Sequence, residues 1–234
     1  MSSEESSIYD TSRSDLREIS TRWSAIKDIN RFVLRYTDAM SSLLKLVLEN
    51  EDDSRDVLQG FLLKVVERGF RDDLPESGRF RDYLARSLRN AAIDHFRLKK
   101  PTQANEDHLE QIASQWEDLD AQWRKEWTEC LLDRAWQHLE HHQYETPNSI
   151  AYDSLKLSAA NPKMSSAELA AKLAEDIGRP IEAAAFRQNL HRARQRFASL
   201  LVQEVRETLE DPSEDQLNDE VNSLGLQAYL QKYR

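Results

Sequence analysis

Two stretches of this 234-residue chain gather positive charge. GRFRDYLARSLRNAAIDHFRLKKP, residues 78 to 101, holds seven Lys or Arg against two acids. The stretch from Ala183 to Gln203 carries Arg187, Arg192, Arg194 and Arg196 with His191 and no acid. The whole chain nonetheless has a formal charge of -10 at pH 7. Arginine presents a planar fork of donors that matches phosphate oxygens, and the Asn90 amide pairs a donor with an acceptor, the arrangement that reads a base edge. Phe80 and Tyr83 offer faces on which an unpaired base can stack. A lone basic helix is ordinarily a solvated face. Two of them in an acidic chain point to a polyanionic partner whose phosphates supply the counter-charge.

Helices must position these residues. Gly and Pro number only 5 and 6, while Leu, Ala, Glu, Gln, Arg and Lys dominate, so the expected class is all-α. From Trp23, apolar residues recur every three or four positions through Val47 (Phe32, Val33, Tyr36, Met40, Leu43, Leu44), the stripe of an amphipathic helix. A second helix is expected after Asn50, with Val57, Leu58, Phe61, Leu62, Val65 and Val66 inside and Gly69 at its end. A third spans about Arg79 to Lys99, with Leu84, Leu88 and Phe96 inward and Arg86, Arg89, Asn90, Ile93, His95, Arg97 and Lys100 opposite; Pro101 stops it. Later, Ser165 or Ser166 can cap a helix with Glu168 in its first turn, Gly178 to Pro180 break it, and IEAAAFRQNLHRARQRFASLL makes a longer helix. That order suits a helix-turn-helix whose second helix enters a major groove.

The expected organisation is a tail over 1–22, a helical domain over 23–101, an acidic linker over 102–122, a helix-turn-helix domain over 123–203 and an acidic extension over 204–234. The linker holds six acids and no Lys or Arg, and residues 204 to 220 hold eight acids against Arg206 alone. The extension's second apolar stretch, Leu224 to Tyr233, could fold back and mask the DNA-binding surface.

Some classes are excluded. Cys130 is the single cysteine, so no internal disulfide or cysteine-based zinc site can form. No apolar run approaches the roughly 20 residues that span a bilayer, and the N-terminus lacks a signal pattern, so a cytoplasmic protein without membrane contact is expected. His138, His141 and His142 have helical spacing but no ligand partners in sequence, so no metal is expected. Without a phosphate loop, nucleophile elbow or zinc-protease motif, neither an enzyme nor a cofactor is expected.

DDSRDVLQGFLLKVVERGF, then GRFRDYLARSLRNAAIDHFR, then LHRARQRFASLL after a helix-turn-helix, resemble a sigma factor of the sigma-70 superfamily, extracytoplasmic-function type. The likeness covers residues 30 to 101 and 125 to 203 in order; the extension resembles a subgroup often found beside Ser/Thr kinases. It implies a region 2-like domain of three or four helices and a region 4-like helix-turn-helix domain. The partners it implies are core RNA polymerase, through the β′ clamp helices and β flap, and promoter DNA, with an anti-sigma factor or a Ser/Thr kinase in control. Asp53, Asp56, Gln59 and Lys64 would face the polymerase. Phe80, Tyr83, Arg86, Arg89, Asn90, Asp94, Arg97, Lys99 and Lys100 would hold the minus-ten element, with a base captured near Leu98 to Gln103. Arg187, Gln188, His191, Arg192, Arg194 and Arg196 would read the minus-35 element. Arg55 and Gly60 stand where relatives show acids, which weakens the expected polymerase surface, and a phosphate on Ser54 would restore charge there. A stand-alone helix-turn-helix regulator and a helical protein-binding adaptor are the alternatives.

Overall fold

In a computed structural model, residues 29–48, 50–68, 79–99, 119–209 and 211–233 are described, and among them every regular element is a helix. These are α1 (Ile29–Val47), α2 (Glu51–Arg68), α3 (Phe80–Lys99), α4 (Asp120–Glu145), α5 (Ala151–Ala160), α6 (Ser166–Ile177), α7 (Ala183–Arg206), α8 (Glu214–Ser223) and α9 (Gln227–Tyr233). The all-α expectation is met. No helix among the described residues is long and apolar enough to cross a membrane. The chain divides into two compact units, Met1–Leu119 with Glu207–Pro212, and Asp120–Arg206 with Ser213–Arg234.

In the first unit α2 packs against both α1 and α3. Of the stripe expected of α1, Tyr36, Met40, Leu43, Leu44 and Val47 are inside and Val33 is partly buried; the stretch from Trp23 to Asp28 and the Phe32 side chain lie outside the described residues. Val57, Phe61 and Val65 of α2 and Phe80, Leu84, Leu88 and Ala92 of α3 are buried as well, and the Tyr36 and Phe80 rings are 5.4 Å apart. Asn50 starts α2, its side-chain oxygen accepting from the backbone N–H groups of Asp52 (2.8 Å) and Asp53 (3.4 Å), as an N-cap does.

The second unit is organised around α7, which packs on α4, α5, α6, α8 and α9. Trp123, Trp127, Leu131, Ala135 and Leu139 recur every fourth residue along α4 and are buried together with Phe186, Leu190, Ala193, Phe197, Ala198, Leu201 and Val205 of α7. Trp136 sits 4.8 Å from the Phe197 ring. One buried charge ties the two helices. Glu204 of α7 accepts from Arg134 Nε at 2.8 Å and lies 3.0 Å from His138 Nε2, and this pairing is what makes a buried carboxylate tolerable. The α4 helix begins at Asp120, inside the span expected to be linker.

From Ser213 on, the acidic extension is part of this unit's core, while Glu207–Pro212 go with the first unit, where Glu207 accepts from Arg35 at 2.8 Å. Ser213 and Gln216 form a capping box that starts α8, and Leu217, Val221, Leu224, Leu226 and Leu230 are buried. Tyr229 meets the edge of Phe197 at 6.0 Å. Burial pushes the Tyr229 phenol up to about 12, the neighbouring Tyr233 adding to the effect and Arg194 opposing it.

Candidate nucleic-acid interface

The α6-turn-α7 segment is built from strong local signals. Ser165 caps α6 by accepting from the Glu168 N–H at 3.3 Å, while the Glu168 carboxylate accepts from the Ser165 N–H at 2.7 Å. These bonds, the Ser165 side chain first and its backbone second, hold the Glu168 carboxyl below its ordinary range. Gly178 ends the helix at φ +68, a left-handed conformation that a side chain would strain. Arg179 then donates to the Asn148 carbonyl at 3.0 Å, pinning the turn to the α4-α5 connection.

Burial decides which side of α7 is presented. With about 100° per residue, Phe186, Leu190, Ala193, Phe197 and Leu201 form the inner stripe. The opposite side exposes Arg187, Gln188, His191, Arg192 and Arg196. Gln195 and Ser199 share that face; the sequence reading passed over them, although their spacing of four and eight residues from His191 marked them. Arg194 is a correction. It turns away from the row, donating to Ser158 Oγ at 3.2 Å, with its guanidinium 5.6 Å from the centre of the Tyr233 ring. It comes off α7 at the edge of the buried stripe, next to Ala193, so it serves packing rather than a groove.

No family model, curated protein or solved structure matches the chain. The exposed row on α7 is therefore judged on its own chemistry. Three guanidiniums, an imidazole and two amides on one unobstructed helical face can donate to phosphates and base edges alike. Among the described residues of this unit, α8 and α9 do not cover them: α9 packs through Tyr229 and Tyr233 against Phe197 and Arg194 on another side of α7, contrary to the expectation that this stretch masks the row.

The basic run of α3 divides differently. Arg86, Asn90, Asp94 and Arg97 are exposed on the outer side, with Tyr83, Arg89 and Ile93 partly exposed at its margins. Phe80 is corrected from a stacking face to a core residue, being 2% exposed and held between Tyr36 and Tyr83. His95 is corrected too. It points inward, its Nε2 3.0 Å from Asp53 Oδ1. Lys99 ends α3 with its side chain outside the described residues, where Lys100 and the rest of the expected base-capture loop to Gln103 also lie; Leu98, its first residue, is exposed on the last turn of α3.

On α2, Asp56, Gln59 and Lys64 are exposed as expected; Leu63 joins them, as does Val66, which is corrected from an inner position to an exposed one because it falls one residue past the buried Val65. Asp53 departs from expectation, because at 7% exposure and paired with His95 it is turned into the unit rather than outward. Ser54 departs further. It is 3% exposed, and its hydroxyl donates to the carbonyls of Leu44 (3.3 Å) and Asn50 (3.1 Å). A kinase cannot reach that oxygen while the helix is folded, and a phosphate there would bury charge against the core.

Proposed function

We propose that the chain is a promoter-specificity subunit of the extracytoplasmic-function sigma type, working in the cytoplasm with core RNA polymerase. The observation that carries this reading is the exposed row Arg187, Gln188, His191, Arg192 and Arg196, set opposite a buried apolar stripe and preceded by a capped helix and a glycine turn. A second helix dipped into a major groove in this way offers its N-terminal residues, Arg187 and Gln188, to base edges and its later arginines to phosphates. In the same reading the outer side of α3 takes the minus-ten strand. Asn90 reads a base, Tyr83 offers a partly exposed ring and Arg86 and Arg97 follow the backbone. The exposed side of α2, with Asp56, Gln59, Leu63, Lys64 and Val66, is the polymerase-docking face. It combines apolar area with a few charges, the composition of a surface that meets a protein.

Two features support a weak hold on polymerase. Gly60 lies mid-helix with open space around it, and glycine there costs about 0.5–1 kcal/mol relative to alanine. It also supplies neither charge nor contact to the docking face. Arg55 is engaged by Asp52 at 3.1 Å, which consumes one of the acids at the start of the helix.

The test is transcription in vitro by core polymerase on fragmented genomic DNA, with and without the chain, followed by sequencing of the initiation sites. Start sites that need both components, with a shared upstream element, are the expected result. Tight duplex binding without polymerase and no new start sites would establish a stand-alone regulator instead. Absence of any salt-dependent DNA binding would leave the adaptor reading.

A further inference from the structure

Two aspartates of α2 and one histidine of α3 converge at the margin of the proposed docking face, which includes Asp56 but gives Asp53 and His95 no role. Asp53 and Asp56 are three residues apart, so their carboxylates leave α2 on the same face. His95 reaches them from α3. One oxygen of each aspartate and one ring nitrogen of His95 lie within 4.8 Å of one another. Inside that triangle His95 Nε2 is 3.0 Å from Asp53 Oδ1. Two ligands about 2.0–2.1 Å from a shared ion lie about 2.8–3.0 Å apart in octahedral and about 3.3–3.4 Å apart in tetrahedral coordination. The pair therefore already has an octahedral edge and opens by a few tenths of an ångström for a tetrahedral one. Burial is graded across the cluster, with Asp53 buried, His95 half-buried and Asp56 exposed. The cluster thus has an inner wall fixed by the core and an outer side open to solvent, where water can complete a coordination shell.

We propose that Asp53, Asp56 and His95 bind a divalent first-row transition-metal ion. Two carboxylates and one imidazole with no thiolate form a donor set suited to Mn²⁺, Fe²⁺, Co²⁺ or Zn²⁺; the imidazole disfavours Ca²⁺ and Mg²⁺, which take oxygen ligands. Bound there, the ion ties the first turns of α2 to the C-terminal half of α3, two helices whose connection runs over residues 69–79. It stabilises the first unit by binding its folded form. Asp56 is shared with the proposed docking face, but metal binding is measured without polymerase or DNA, so it fails or holds separately from that reading.

The full chain, stripped of metal by a chelator, is titrated with Co²⁺ followed by visible absorption and with Zn²⁺ followed by thermal unfolding. The expected result is one Co²⁺ per chain with ligand-field bands, and a Tm raised by about 5 °C or more at a hundredfold excess of Zn²⁺ over its Kd. Asp56→Asn and His95→Gln should each weaken binding by at least about tenfold, the lower end of what loss of even a supporting partner does. A variant with His138, His141 and His142 all changed to Gln should bind as the parent does. No binding by the parent overturns the proposal, and so does binding that survives Asp56→Asn. Loss of binding only in the α4 triple variant would do the same by locating the ion elsewhere. If His95→Gln fails to fold, Asp56→Asn decides alone, since Asp56 is exposed and its amide keeps the shape of the carboxylate.

Discussion

Helices α3 and α7 each carry five Lys or Arg, yet they deploy them differently. On α7 the exposed side holds Arg187, Arg192 and Arg196 without an acid among them, and the helix's single carboxylate, Glu204, is buried against α4. On α3 the exposed Arg86 and Arg97 alternate with Asp82 and Asp94, Arg97 lying 4.0 Å from Asp94, and Arg81 is inside. A row of uncompensated guanidiniums has the field to hold the two dense phosphate lines of a duplex. A mixed face has less field and more hydrogen-bonding variety, which fits a single strand whose bases are out of the stack. The composition of the two helices is alike. What separates them is which residues fall beside the apolar stripe.

That contrast depends first on α7 being held in one rotation. Phe186, fully buried at the start of the helix, is the largest anchor near the reading residues. Phe186→Ala should lower stability by about 3–5 kcal/mol in denaturant titrations, the cost of an unfilled aromatic cavity. A loss under 1 kcal/mol would show that the outer row is not fixed by this packing. Next in size is the charge itself. Changing Arg187, Arg192 and Arg196 together to Ala should lower duplex affinity about a hundredfold and flatten the slope of log K against log salt by about 3. Changing Arg86 and Arg97 to Ala should leave the duplex slope unaltered and weaken only binding to an opened strand. Equal effects of the two sets on duplex would erase the distinction.

Apolar periodicity made most of this fold legible. Most core positions of α1, α2 and α7, the capping box at Ser165 and Glu168 and the stop at Gly178 were readable, because each is a local signal; Val66, expected inside, is exposed. Helix α5 was not, since Ile150 stands at its N-cap without a side-chain bond and only burial of Ser154 and Leu155 against neighbours sustains it. The docked extension was half legible. Its acids suggested a solvated tail, and the outweighing signals were Ser213 with Gln216 and the spacing of Leu217, Val221 and Leu224. At the sites, type and spacing identified the exposed row but could not tell Arg194 from Arg192, or Asp53 from Asp56. Arg192 and Arg194 stand two residues and about 200° apart, enough to carry one around the helix into packing, whereas Asp53 and Asp56 share a face and differ in depth, Asp53 lying against His95 and the core.

Arg192 and Arg194 therefore make a sharper comparison inside a single helix. Arg194→Ala removes the bond to Ser158 and the contact with the Tyr233 ring, and should cost about 1–1.5 kcal/mol of stability while leaving the salt slope of duplex binding unchanged. Arg192→Ala should do the reverse, with stability within about 0.5 kcal/mol of the parent and the slope reduced by about 1. If Arg194→Ala weakens DNA binding as much as Arg192→Ala, then the guanidinium leaves Ser158 when DNA arrives, and α7 presents a longer row than its buried stripe implies.

The smallest effect concerns the helix that sets the entry to α7. Ser165→Ala removes the cap of α6 and should cost about 0.5–1 kcal/mol at neutral pH, the lower part of the range for exposed caps. The loss should also depend on pH, because the Ser165 side chain is the main reason the Glu168 carboxyl is depressed. A depressed carboxyl contributes stability above its unfolded value, about 4.3, and that contribution disappears as pH falls through the lower folded value. The gap between parent and Ser165→Ala should therefore narrow between neutral pH and the acid limb of the unfolding curve. A gap of constant size would mean that the serine hydroxyl acts on the backbone alone and that the capping box is half formed in solution.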